Sequence, residues 1–232
     1  MHNSPKETKG KSEKRFLGQT PRRRGGEMRK VRALFLGCGF LGSNLVPQVL
    51  PHLSSLVLVD RDEVELGNYD NHLIPKGYEG RKKVMALASL VSLLSEVPVF
   101  PVHMNVQKME QLMDLQSKFD PDIVICSFDN VESRALVREY SSRSRIPTLF
   151  LGVTENYIYI DWGENLVLPR GDISSVLRGV RDVCSRLDFR ALGSLASALA
   201  YYSFREWLMN DSEISFIAHI SEDGIRISRL VR

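Results

Sequence analysis

Two features of this chain have the types and spacing for chemistry. They are the loop Gly37-Cys38-Gly39-Phe40-Leu41-Gly42 and the acid Asp60. A G-x-G-x-x-G loop that opens a helix presents backbone N–H groups to an anion, and the helix dipole adds to that attraction. Gly37 permits the tight turn, Gly39 lets a phosphate approach the backbone, and Gly42 lets helix and strand pack closely. A carboxylate at the end of the following strand accepts hydrogen bonds from ribose hydroxyls. The pattern points to a nucleotide, and on these residues alone ATP and NAD fit equally well.

The loop needs a strand before it and a helix and strand after it. Residues 31–36 (VRALFL) form an apolar run of strand type. Leu41, Leu45, Val46, Val49, Leu50 and Leu53 mark one face of a helix, with Pro47 expected to kink or shorten it and Pro51 to end it. Residues 56–59 (LVLV) make the second strand and run into Asp60. A polar loop over 60–68 leaves that strand, and such loops at carboxyl ends carry function.

The later chain alternates in the same way. A helix is expected over 82–94 on Val84, Leu87, Val91 and Leu94. A short or edge strand over 97–102 contains two prolines. A helix over 108–119 rests on Met109, Leu112, Met113 and Phe119. A buried strand over 122–126 feeds Ser127-Phe128-Asp129-Asn130, a helix passes through Arg134, Leu136 and Val137, and a strand covers 148–151. Residues 156–162 are expected to pair with 165–168, residues 170–187 to be irregular, and 191–208 to form a long helix. A hairpin joins 214–220 to 225–230 around Glu222-Asp223-Gly224. This order implies an α/β fold: a Rossmann-like, doubly wound, mainly parallel sheet extended by C-terminal antiparallel strands.

Composition narrows the class. The chain has 232 residues, 43% hydrophobic and 25% charged, the ordinary balance of a globular protein. No apolar run is long enough to span a bilayer, so no membrane association is expected, and the polar N-terminus does not resemble a secretory signal. Cys38, Cys126 and Cys184 form no C-x-x-C pair, which excludes a four-cysteine zinc site and points to a reducing cytoplasm. His2, His52, His72, His103 and His219 show no metal-ligand spacing, and only His72 falls near the expected site. Residues 1–30 hold ten Lys or Arg against three acids, a net of +7 in a chain of +3, so the rest carries −4. Residues 1–29 are read as a basic, disordered tail and 30–232 as the folded domain. Arg22-Arg23-Arg24 suits nucleic acid or an acidic partner, or else is a solvated leader.

Taken together, the motifs resemble the ThiF/MoeB/HesA family, bacterial relatives of the ubiquitin-activating enzymes. Gly37, Gly39 and Gly42 match its glycine loop, Asp60 and Asp62 its acid pair, and Asn68 its loop Asn. Lys83 matches the Lys at a helix start, Asp129 the Asp that ends a later strand, and Arg134 the Arg after it. Gly193 resembles the glycine that opens the last long helix. The resemblance implies ATP and Mg²⁺ binding and adenylation of a carboxylate, often the C-terminus of a ubiquitin-like or sulfur-carrier protein, by a homodimer. It assigns the ribose to Asp60, phosphate oxygens to Asn68, phosphate charge to Lys83 and Mg²⁺ to Asp129. Asp62 would assist metal or phosphate geometry, and Ser127 would join the nucleotide site. Some members also use a cysteine near the last helix as a nucleophile, and Cys184 falls in that region.

One motif departs from the family. Its Asn-x-x-Arg-Gln run reads Asn68-Tyr69-Asp70-Asn71-His72 here, so an amide stands where an Arg would touch the triphosphate. Arg61 and Arg81 are the nearest replacements. Two other functions stand beside adenylation: a dinucleotide-binding oxidoreductase, which the glycine loop and Asp60 alone fit equally well, and a non-catalytic relative that binds nucleotide or a protein tail, which the missing Arg keeps open.

Overall fold

Every residue of the first strand, β1 (Val31–Leu36), is buried except Arg32. The computed structural model describes residues 29–154, 156–163, 190–221 and 223–230. Successive side chains of β1 enter opposite cores: Val31, Ala33 and Phe35 one, Leu34 and Leu36 the other. A strand covered on both faces has no place for polar side chains, hence the unbroken apolar run. Each such large side chain contributes roughly 1.5–3 kcal/mol on burial.

The remaining strands are β2 (Leu53–Asp60), β3 (Val99–His103), β4 (Ile123–Cys126), β5 (Thr148–Val153), β6 (Tyr157–Trp162), β7 (Ser215–Ser221) and β8 (Gly224–Leu230). They form one sheet in the order β3-β2-β1-β4-β5-β6-β7-β8. Pairings from β3 to β5 are parallel, and those from β5 to β8 are antiparallel. Helices α1 (Phe40–Val49), α2 (Lys83–Leu94) and α5 (Arg190–Asn210) bury Leu45, Leu87 and Phe204 in one core. Helices α3 (Met109–Phe119) and α4 (Val131–Ser144) bury Leu112 and Val137 in the other. The sheet is thus doubly wound, with an antiparallel extension, as expected.

The details amend several expectations. Pro47 lies inside α1, which continues to Val49; Pro51 falls in a 3₁₀ turn, Leu50–His52. Leu53 belongs to β2, so that strand starts before residue 56. In α3 the buried residues are Leu112 and Leu115, whereas Met113 is half exposed, because the buried stripe advances at helical spacing. Pro101 sits in β3 at the sheet edge, where the missing N–H costs least. Strand β6 pairs with β5 and β7; its expected partner, 165–168, and the stretch 170–187 lie outside the described residues. At Gly193 a Cβ would meet the Phe40 ring at 2.3 Å, so α5 approaches α1 closely there.

Two parallel strands are clamped at their N-terminal ends. Arg32 donates from its backbone N and Nε to Asp122 Oδ2 at 2.8 and 3.1 Å, and from Nη2 to Oδ1 at 3.1 Å. Burial alone pushes the Asp122 carboxyl up, but these bonds outweigh it and hold it below the usual carboxylate range.

Candidate functional site

The carboxyl ends of β1, β2 and β4 open into a cavity of about 280 Å³. The glycine loop forms its floor. Gly37 adopts φ +106°, a region that only glycine enters easily, and its N–H donates to the Val59 carbonyl at 2.9 Å. A Cβ on Gly42 would lie 2.1 Å from the Gly37 carbonyl oxygen, so α1 meets the loop at a distance no side chain permits. Gly42 therefore sits behind the cavity, while Gly37 and Gly39 line it. Around Gly39 the nearest atom to a Cβ would be His72 Nε2 at 3.6 Å, which leaves the loop's face open. No side chain caps the N-terminus of α1.

Asp60 ends β2 and is 7% exposed. Its Oδ2 accepts the Cys38 N–H at 2.6 Å and its Oδ1 the Asp62 N–H at 2.8 Å. Burial pushes this carboxyl up, and the two N–H donors pull it back. An isolated antiparallel bridge between Glu63 and Lys82 brings Asp62 to the next helix: its carbonyl accepts the Lys83 N–H at 2.9 Å. Lys83 Nζ lies 3.1 Å from Asp62 Oδ2, and the lysine is 9% exposed. It is not a surface lysine; Lys82 caps α2 and Lys83 turns inward.

Asn68 stands in a 3₁₀ turn, Leu66–Asp70, where its side-chain oxygen accepts the Glu65 N–H at 3.0 Å. That bond fixes the amide so that the NH₂ group is the one left to donate. Ser127 Oγ donates to the Gly37 carbonyl at 3.1 Å, so this hydroxyl braces the glycine loop as well as lining the cavity. Asp129 lines the cavity and is exposed. The cap of α4 is its neighbour Asn130, whose Oδ1 accepts the Ser133 N–H at 2.8 Å, so helix capping makes no demand on Asp129. Arg134 is no surface residue: Nη1 donates to the Phe128 and Leu151 carbonyls at 2.8 and 2.7 Å, tying this loop to β5.

Seven of the eight residues expected at the nucleotide, and Asp129, thus line one cavity; Gly42 shapes it from behind. Asn71 is 2% exposed and does not line it, and its carbonyl accepts from Asn44 Nδ2 at 3.1 Å. Of the two candidate replacements, Arg61 lines the cavity, whereas Arg81 stacks at 5.7 Å over Tyr78 away from it. His72 lines it too, with its pKa lowered to about 4 by burial and by the Lys83 ammonium, so the ring is neutral at pH 7. Cys38 and Cys126 are buried free thiols, and Cys184 lies outside the described residues.

The sequence reading passed over the cavity's other walls. Met104, Asn105 and Val106 follow β3; Gly152, Val153 and Thr154 end β5; Tyr159 lies on β6. For the residues after β3 and at the end of β5 the only signal is position at strand carboxyl ends, and Tyr159, midway along β6, carries none. Among the described residues no three His, Cys, Asp or Glu are grouped to hold a metal alone, and no helix is long and apolar enough to cross a membrane.

No curated protein sequence matches the chain. Its fold resembles E. coli MccB solved with ATP, at a TM-score of 0.67 and 19% identity over 86% of this chain and 62% of that one. E. coli MccB with AMPCPP and MccA gives 0.67 and 18%, over 86% and 63%. PaaA gives 0.63 and 14%, over 87% and 64%. The chain thus spans less than two thirds of these proteins' length, and at such identities the likeness is one of fold. A profile of the ThiF family matches residues 17–159, more than half of the sequence. The chain belongs to the ThiF family.

Proposed function

We propose that this protein is an ATP-dependent adenylyltransferase that activates the terminal carboxylate of a peptide or carrier protein, of which a ubiquitin-like or sulfur-carrier protein is one kind. The convergence of the open glycine loop, Asp60, Asn68, Lys83 and Asp129 on one cavity of a ThiF-family chain carries this reading. The likeness to MccB, solved with ATP and with MccA, supports it.

In the reaction a substrate carboxylate oxygen attacks the α-phosphorus of ATP. The bond from that phosphorus to the bridging oxygen breaks, and pyrophosphate leaves with the electron pair. No proton needs to move, so the protein's task is to position groups and to balance charge. The glycine loop and the uncapped start of α1 would receive phosphate oxygens. Asp60, already aligned by two N–H donors, would accept from the ribose. Asn68 would donate its NH₂ and Lys83 its charge to the phosphates.

Magnesium bound to ATP supplies further charge neutralisation. The donor set suits it: Mg²⁺ takes one or two carboxylates and completes its shell with phosphate and water, and Asp129 would hold it with Asp62 nearby.

A second reading, a relative that binds nucleotide without turnover, is favoured by Asn71 in place of the family Arg. Thermal melting with ATP·Mg²⁺, with ATP plus chelator and with NAD separates the readings. A Mg²⁺-dependent rise with ATP, followed by pyrophosphate release with a carboxylate substrate, is the expected result. A rise with NAD alone would sink the proposal, and a rise with ATP but no pyrophosphate from any candidate would favour the non-catalytic relative.

A further inference from the structure

Beyond Asp129 the cavity runs on along α4 and over the sheet. Val131, Ala135 and Arg138 form one stripe of α4, at helical spacing, that faces it, and all three are exposed. The opposite wall includes Gly152 and Tyr159. A Cβ on Gly152 would fall 1.9 Å from the Tyr159 ring, so the ring packs directly on the backbone of β5 there.

Charge is divided along this passage. The acids lining the cavity, Asp60, Asp62 and Asp129, all belong to the nucleotide end. From Asn130 onward the described lining holds no carboxylate and two guanidinium groups. Arg134 is committed to two carbonyls and lies 5.6 and 5.1 Å from the Phe150 and Tyr159 rings. Arg138 has no ion pair among the described residues; the adjacent acid, Glu139, pairs with Arg143 instead. Arg134 Nη2 is buried without a hydrogen-bond partner, and Arg138 is the exposed cation in the passage.

On α4, Arg138 stands apart from Asp129 at the nucleotide end. It lies eight residues along α4 from Asn130, about 12 Å at the helical rise. An extended chain covers that distance in roughly three to four residues. Building on the adenylation reading, we infer that Arg138 is a specificity residue selecting a substrate with an acidic side chain about three residues before its C-terminal carboxylate. The substrate class is an acidic C-terminal tail, laid along α4 with its terminus at the phosphates.

Two fluorescent octapeptides, identical except for Glu or Lys three residues before the C-terminus, test this by anisotropy in the presence of a non-hydrolysable ATP analogue and Mg²⁺. The full chain is expected to bind the Glu peptide about fivefold more tightly, the scale of one exposed ion pair. Arg138→Glu reverses the order, and Arg138→Gln removes the preference. Equal affinities for the wild-type chain, an unchanged order in both variants, or no binding of either peptide would overturn the inference. Wild-type melting with ATP·Mg²⁺ in the same buffer reports on the nucleotide site separately. If that shift is absent, the adenylation reading itself fails.

Discussion

Lys83 holds its ammonium 3.1 Å from Asp62, so the cation expected at the phosphates is paired with a carboxylate. Lys83 is 11% exposed at its side chain and Asp62 48%, so the pair is anchored by the lysine. Replacing Lys83 by Met removes the charge and keeps most of the packing. Under the adenylation reading this lowers the rate of pyrophosphate release by roughly 10²–10³-fold, the scale for losing one preorganised charge-stabilising group. Comparable kcat in the variant and the wild type would remove Lys83 from the reaction.

Asp129 and Asn130 are adjacent and have separable tasks. Asn130→Ala loses the α4 cap and should cost about 1 kcal/mol of stability. Asp129→Ala should leave the melting temperature without ligand unchanged and abolish the extra stabilisation that Mg²⁺ gives to ATP. Parallel melting curves of the two variants, with and without ATP·Mg²⁺, check both statements.

The glycines make a similar pair. Gly42→Ala places a methyl 2.1 Å from a backbone oxygen, where the only relief is a shift of α1 or the loop, so a loss of about 1–3 kcal/mol is expected by urea denaturation. Gly39→Ala meets nothing closer than 3.6 Å, so folding tolerates it, but the methyl intrudes where a phosphate would approach. Nucleotide affinity should fall while stability holds.

His72 predicts a pH dependence. Its folded pKa of about 4 lies below the ordinary 6.5. Between these values the unfolded chain takes up a proton that the folded chain refuses. Stability is therefore fully present above about pH 6.5 and declines as pH falls toward 4, by at most about 3 kcal/mol. Asp60, pushed upward by burial, acts in the opposite sense at the acid end. The test is the difference between the wild type and His72→Gln in urea denaturation from pH 7 to 4.5: the variant should show the shallower decline.

Much of this fold was legible because two-sided burial writes itself into sequence. Strands β1 and β4 and residues 56–59 of β2 are apolar at nearly every position, and Gly37 and Asn130 mark where β1 turns into its loop and where the chain after β4 gives way to a helix. Met113 was misplaced because a methionine at a helix surface looks the same, by type, as one in a core. Residues that line the cavity were readable where a charged side chain stands in a motif, as with Asp60 and Lys83. Lys83 was set apart from Lys82 by the family resemblance alone, since by type adjacent lysines differ only in the direction the helix gives them. The same holds for Ser127, whose bracing of Gly37 depends on how closely β1 and β4 lie.

The Arg32–Asp122 clamp joins residues 90 positions apart, and it closes the neighbouring strands at the middle of the sheet. At a synthesis rate of ~5–20 residues per second, β1 leaves the ribosome roughly 5–20 s before its partner β4. During that interval a strand composed as VRALFL has neither the β4 edge nor the α4 side chains to cover it. The glycine loop at its end cannot be braced until Ser127 arrives. This architecture leaves the loop without that brace until the chain has been made as far as β4.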